Sequence, residues 1–219
     1  QANEMLTTTP LRRSALHHRL LAAGVRMAPF QGWERAEAFG DAAGEIRSVR
    51  AGVALADLSA RFQLVIQGTG LAAWLPACPA VGSLQPVEAG VCCRLTDDRA
   101  LFVTTSPFVP RPPAGVCAHV TDLTSGRTTV AVAGPDSLVV LRALTQLDLS
   151  PTAFPDRRCA QTSVAGVAAT LLRRDRLGVP VYEILVARDL GEYLWDCLLD
   201  AGTPLHAALV GAAILEQGD

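Results

Sequence analysis

The chain has 219 residues, half of them apolar and 18% charged, with a formal net charge of −2. That length holds one large domain or two small ones with a real core. The balanced, interspersed charge excludes an electrostatic case for nucleic acid or an anionic membrane, and no run reaches the ~20 apolar residues that span a bilayer.

Gln1 to Glu4, ahead of Met5, read as an appended tail, and no basic segment followed by an apolar core suggests a signal peptide. The expected location is the cytoplasm. "TTTPLRRSALHHRLLAAG" predicts a helix with Thr9 as N-cap, Pro10 at its first position and Gly24 as its stop; His17 and His18 ride on it. "RMAPFQGWERAEAFGD" concentrates Phe30, Trp33 and Phe39, yet Pro29, Gly32 and Gly40 predict an irregular aromatic strap. "DAAGEIRSVRAG" predicts a second helix, capped by Asp41 and ended by Gly52, with Ile46 and Val49 on one face.

The period then changes to that of strands in "VALADLS" and "RFQLVIQG", followed by a short helix "LAAWL". "GVCCRLTDDRALFVTT" predicts a hairpin with Thr96 to Arg99 at its tip, so Asp97 and Asp98 are turn residues. "SPFVPRPPAG" is a loop, and strands are expected at "GVCAHVTDL" and "RTTVAVAG". "GPDSLVVLRALTQL" predicts a helix with Pro135 first; "SVAGVAATLLRRD" and "VPVYEILVA" predict paired strands. "RDLGEYLWDCLLDAG" is an amphipathic helix closed by Gly202. Strands and helices mix without regular alternation, which predicts α+β rather than a doubly wound sheet. The six cysteines show no C-x-x-C spacing and predict no metal framework. No G-x-G-x-x-G, P-loop or G-x-S-x-G is present, so no catalytic set is readable from spacing alone.

Three ordered stretches resemble the glycine-cleavage T-protein (aminomethyltransferase) family: "TPLRRSALHHRLLAAGVRMAPFQGWERAEAFGDAAGEIRSVRAGVALADLS", "TTVAVAGPDSLVVLRAL" and "VYEILVARDLGEYLWDCLLDAG". "LGEYLW" is also similar to the gamma subunit of heterotetrameric sarcosine oxidase, a relative. The resemblance covers roughly residues 10–218 and implies two interleaved, pseudo-symmetric α/β lobes. Residues 10–57 with 126–219 would form the outer lobe and 58–125 the inserted one, with 1–9 a tail and no counterpart of the family's C-terminal barrel.

The resemblance also implies tetrahydrofolate as cofactor and one-carbon transfer as chemistry. Glu183 of "VYEI" falls on the family's pterin-binding Glu, whose carboxylate accepts pterin N–H donors. Alternation places it with Val181 and Leu185, and it is expected partly buried at a central cavity. Arg173 retains a family Arg, Arg176 stands where the family has Tyr, and Phe30 and Trp33 lie in the strap beside the folate region. The place of the family's catalytic Asp reads Ala89, Gly90, Val91, Cys92, Cys93, with only Glu88 upstream. Three readings follow: folate binding with altered one-carbon chemistry, a non-catalytic partner subunit of a larger enzyme, or a folate pocket re-lined for another small molecule. The first is the lead.

Overall fold

The structure is a computed structural model describing residues 11–75, 79–107, 111–114 and 116–216. Thr9, Pro10, Cys78 and part of the "SPFVPRPPAG" loop lie outside the described residues. The chain opens with a two-residue strand β1 (Arg12–Arg13) and a short helix α1 (His17–Ala22). The expected long first helix is therefore corrected. The Arg12 amide donates to the Gly32 carbonyl at 2.9 Å, so residues 12 and 13 join a sheet that local sequence does not announce.

The strap is corrected as well, because it is a hairpin of β2 (Arg26–Phe30) and β3 (Trp33–Ala38). Gln31 and Gly32 both have positive φ, 47° and 79°, which is the backbone of a two-residue hairpin turn whose twist suits antiparallel strands. Pro29 is tolerated because β2 is an edge strand. Helix α2 (Ala42–Ala51) follows, its Asp41 side chain accepting from the Gly44 amide at 2.8 Å as expected. Glu45 in its first turn accepts from the amides of Phe39, Gly40 and Gly211, tying the hairpin's exit to the far end of the chain.

The middle of the chain contains β4 (Ala54–Asp57), β5 (Phe62–Gly68), α3 (Leu71–Trp74), β6 (Leu84–Val87), β7 (Gly90–Thr96), β8 (Arg99–Thr104) and β9 (Ala118–Asp122). Then come β10 (Arg127–Ala133), α4 (Ser137–Arg142), β11 (Arg158–Val164), β12 (Val167–Arg173) and β13 (Val181–Ala187). The chain closes with α5 (Gly191–Gly202), β14 (Ala208–Leu209) and α6 (Ala212–Glu216). Pro135 precedes α4 rather than starting it, since Asp136 is its N-cap. "SVAGVAATLLRRD" is not one strand but the end of β11, an Ala165–Gly166 turn and β12.

Among the described residues the strands form three sheets, and the mixed architecture is α+β. One has three strands in the order β1-β3-β2. A six-stranded sheet runs β11-β12-β13-β10-β4-β14, and a five-stranded sheet runs β6-β7-β8-β5-β9. The five-stranded sheet draws only on β5 to β9. Tyr182, Ile184 and Val186 of β13 face a core with Leu141 of α4 and Leu194, Trp195 and Leu198 of α5, which also holds Leu16 and Leu20. The opposite face packs on the five-stranded sheet, where Leu172 and Leu185 meet Val91, Cys93, Leu101 and Val103. Each buried side chain of this size contributes about 1.5–3 kcal/mol, so this layer is a major tie between the sheets. Backbone bonds reinforce it: the Leu84 amide donates to the Arg157 carbonyl and the Cys159 amide to the Gly82 carbonyl. The five described cysteines are free. No helix among the described residues is long and apolar enough to cross a membrane.

Candidate functional site

Strand alternation turns Glu183 toward the five-stranded sheet, opposite Ala131 on one side and Leu172 on the other. It is fully buried at 1% exposure, which corrects the expectation of partial burial. Its Oε1 accepts from Arg61 Nη1 at 2.7 Å and from Arg174 Nη2 at 3.3 Å. Burial alone pushes the carboxyl up, but the charges of Arg61, Arg174 and Arg176 outweigh it and bring its pKa down to about 2. Burial likewise works against the Arg61 charge, yet Glu183 and Glu216 together hold its pKa above the ordinary value.

The pair belongs to a longer chain of alternating charge. Arg61 Nε reaches Glu216 Oε1 at 3.2 Å, and Arg35 Nη1 reaches Glu216 Oε2 at 2.6 Å. Phe30 supports this end, with the Arg35 guanidinium 3.7 Å from its ring centroid. Arg176 donates to the Leu215 carbonyl and so fixes α6 over the site. Within this dense network the Glu183 Oε2 and Arg61 Nη2 atoms are buried without a hydrogen-bond partner. A carboxylate oxygen left so is an unused acceptor of high cost.

Above the network lies a cavity of about 510 Å³, with Leu84, Pro86, Val87, Ala89 and Gly90 on one wall and Arg157, Arg174 and Arg176 on the other. A second chamber of about 100 Å³ shares Ala89, Gly90, Arg174 and Arg176 with it and adds Arg61 and Glu216. Glu183 is not a lining residue of either chamber and meets them through Arg61 and Arg174. Asp156 and Asp175 share the polar side with these arginines, and the apolar and arginine-rich lining suits a ligand with a flat body and carboxylate groups.

The five expected binding residues separate in space. Arg176 lines the cavity and Glu183 meets it through Arg174. Arg173 does not line it: its Nε and Nη2 pair with Asp175 at 2.9 and 3.0 Å, its Nη1 donates to the Phe154 carbonyl, and Tyr182 lies beneath it. Register explains the difference, since Arg173 opposes Tyr182, on the face turned away from Glu183. Trp33 is 1% exposed in the hairpin and Phe30 acts through Arg35, so neither borders the cavity. Sequence reasoning missed Arg61 and Arg174. For Arg174 the alternation Leu172–Arg174 was an available signal; Arg61 lies in a loop and had none. At the place of the family's catalytic Asp the cavity presents Ala89 and Gly90, while Glu88 is exposed on a turn. Its acids are Asp156, Asp175 and Glu216, and each is held in an ion pair, Asp156 with Arg157 at 3.7 Å. Asp97 and Asp98 sit at the β7–β8 tip, as expected. Among the described residues no group of three potential ligands is placed to hold a metal ion.

Residues 85–217, well over half of the chain, match the GCVT N-terminal domain. The chain belongs to that family. Aminomethyltransferases are similar in sequence: that of Picosynechococcus sp. is 26% identical over 217 residues, covering 88% of this chain and 59% of the relative. That of Frankia alni is 29% identical over 228 residues, covering 92% and 61%. The chain thus spans about three fifths of the length of these curated relatives. Two solved structures share the fold. The glycine cleavage system aminomethyltransferase T from Bartonella henselae aligns with a TM-score of 0.70 at 18% identity, over 93% of this chain and 60% of that one. A chain of the heterotetrameric sarcosine oxidase from Corynebacterium sp., in complex with pyrrole 2-carboxylate, aligns with a TM-score of 0.61 at 24% identity, over 76% of this chain and 93% of that one.

Proposed function

We propose that this GCVT-type domain binds a reduced folate in the cavity between its two large sheets, in the cytoplasm, and does not perform ordinary aminomethyl transfer. The observation that carries the reading is the buried Glu183 Oε2, an acceptor without a partner on a carboxylate bonded to Arg61 and Arg174 of the cavity lining. A pterin edge offers N–H donors that suit such an oxygen, and Arg157, Arg174 and Arg176 suit the carboxylates of a folate tail. When bound, tetrahydrofolate supplies the one-carbon chemistry at its pterin nitrogens. Glu183 would orient the pterin, and the Arg61 or Arg174 guanidinium would move aside to open its oxygen. No side chain at Ala89 or Gly90 can act on a leaving amine, a loss worth ~10²–10⁴-fold in rate. The chain therefore either carries altered one-carbon chemistry or holds the cofactor for another reaction.

A second reading, a non-catalytic subunit of a larger oxidase, is favoured by one observation: the alignment covers 93% of the sarcosine oxidase chain. The test is thermal unfolding with a panel of reduced folates. At 100 times Kd a ligand adds about 2.7 kcal/mol, an easily measured rise in Tm. No rise with any reduced folate overturns the folate reading and leaves the subunit reading, which then expects co-purification with oxidase subunits.

A further inference from the structure

The face of the six-stranded sheet that carries Glu183 also carries Arg127 at its far end. Arg127 opposes Ala187, Leu185 opposes both Thr129 and Thr170, and Thr170 opposes Gln161. Alternation therefore turns Arg127, Leu185, Thr170 and Gln161 to one side. There they line an open cavity of about 610 Å³, together with Leu123 and Ala168. It shares no lining residue with the cavity above Glu183; the Leu172, Leu185 and Cys159 layer lies between them.

Arg127 differs from three of the other interior arginines. Arg61, Arg173 and Arg174 each meet a carboxylate. Among the described residues Arg127 has no ion pair, and its Nη1 is buried without a hydrogen-bond partner. The neighbouring charge that acts on it is Arg99, a second cation, which adds to burial in lowering its pKa. A half-buried guanidinium with no counter-ion is costly to the fold. A ligand carboxylate would remove that cost, and the planar fork of the guanidinium matches a carboxylate in a bidentate way.

We propose that this cavity is a second ligand site, for a small organic monocarboxylate, with Arg127 forking the carboxylate and the Leu123 and Leu185 side taking its apolar body. The cavity lining presents one charged side chain, Arg127, with Arg99 outside it, and an apolar wall, which favours a monocarboxylate over a phosphate dianion. The Thr170 and Gln161 side chains supply neutral polar contacts.

Calorimetric titration with benzoate, benzamide and inorganic phosphate tests the proposal on the parent chain and on Arg127→Gln. The expected result is saturable benzoate binding at least ~10-fold tighter than benzamide or phosphate, weakened ~10-fold or more in Arg127→Gln. The variant should melt no lower than the parent, because an uncompensated cation has been removed. A second measurement needs no variant: benzoate, not benzamide, should protect Arg127 from phenylglyoxal modification, read by peptide mass spectrometry. Equal binding of benzoate and benzamide, tighter binding of phosphate, undiminished binding by Arg127→Gln, or no protection of Arg127 would overturn the assignment.

Discussion

Glu183 is held between guanidinium groups in a place that water does not reach. Its folded pKa of about 2 lies below the ordinary 4.5, so between those values the unfolded chain binds more protons than the folded one. The stability this provides is fully present above pH 4.5 and is lost as pH falls toward 2, roughly 3 kcal/mol in all. Acid titration of the unfolding free energy should show this limb in the parent and a flatter one in Glu183→Gln. Truncating one partner strips the other of its shortest ion pair and leaves only a longer one, Arg174 for Glu183 and Glu216 for Arg61, so Glu183→Ala and Arg61→Ala should each cost about 3 kcal/mol. The double variant should cost clearly less than the two together, because each single change already removes the pair. Urea denaturation of the four proteins measures this, and strict additivity would count against a coupled pair.

At the scale of elements, three hairpins among the described residues close on turns in which a non-glycine residue with positive φ precedes a glycine. These are Gln31–Gly32 (φ 47° and 79°), Ala165–Gly166 (51° and 78°) and Leu177–Gly178 (55° and 79°). The left-handed conformation costs most L-residues about 1–2 kcal/mol and Asn less. Gln31 is exposed, so Gln31→Asn should raise stability by about 0.5–1 kcal/mol, read as a higher Tm. Gly134 shows the opposite case: at φ 114°, an added Cβ would lie 2.2 Å from the Gly52 carbonyl oxygen. Gly134→Ala should therefore cost at least about 2 kcal/mol by the same measurement. These turns also explain what sequence concealed. Gln-Gly is a weak hairpin signal beside Asn-Gly, so β2 and β3 read as an irregular strap. Residues 12 and 13 are a strand only because β3 offers a parallel partner, which no local propensity records. By contrast α2, α5 and the β7–β8 hairpin were legible, since each repeats its pattern over several turns or pairs; α2 and the hairpin also carry their own cap and turn, while Gly202 proves to be the last residue of α5 rather than its cap.

At the scale of the whole molecule, one line of charge joins the hairpin, the C-terminal helix and both large sheets: Arg35, Glu216, Arg61, Glu183, Arg174. Alternation along β13 made the direction of Glu183 readable, but its partners come from residues 61 and 174, brought together only by sheet packing. The resemblance sets Ala89 and Gly90 at the place of the family's catalytic Asp, and both border the cavity. The chain should accordingly form negligible methylenetetrahydrofolate from an aminomethyl-lipoyl donor. Turnover comparable with an intact aminomethyltransferase would show that another carboxylate of the cavity serves. The central claim, that Glu183 orients a pterin, is tested most directly by calorimetric titration with a reduced folate beside p-aminobenzoylglutamate, which keeps the tail and lacks the pterin. A charge-assisted bond of about 1.5–3 kcal/mol predicts that the folate binds at least ~10-fold more tightly. Equal affinity for the two, or no binding of the folate, would contradict it.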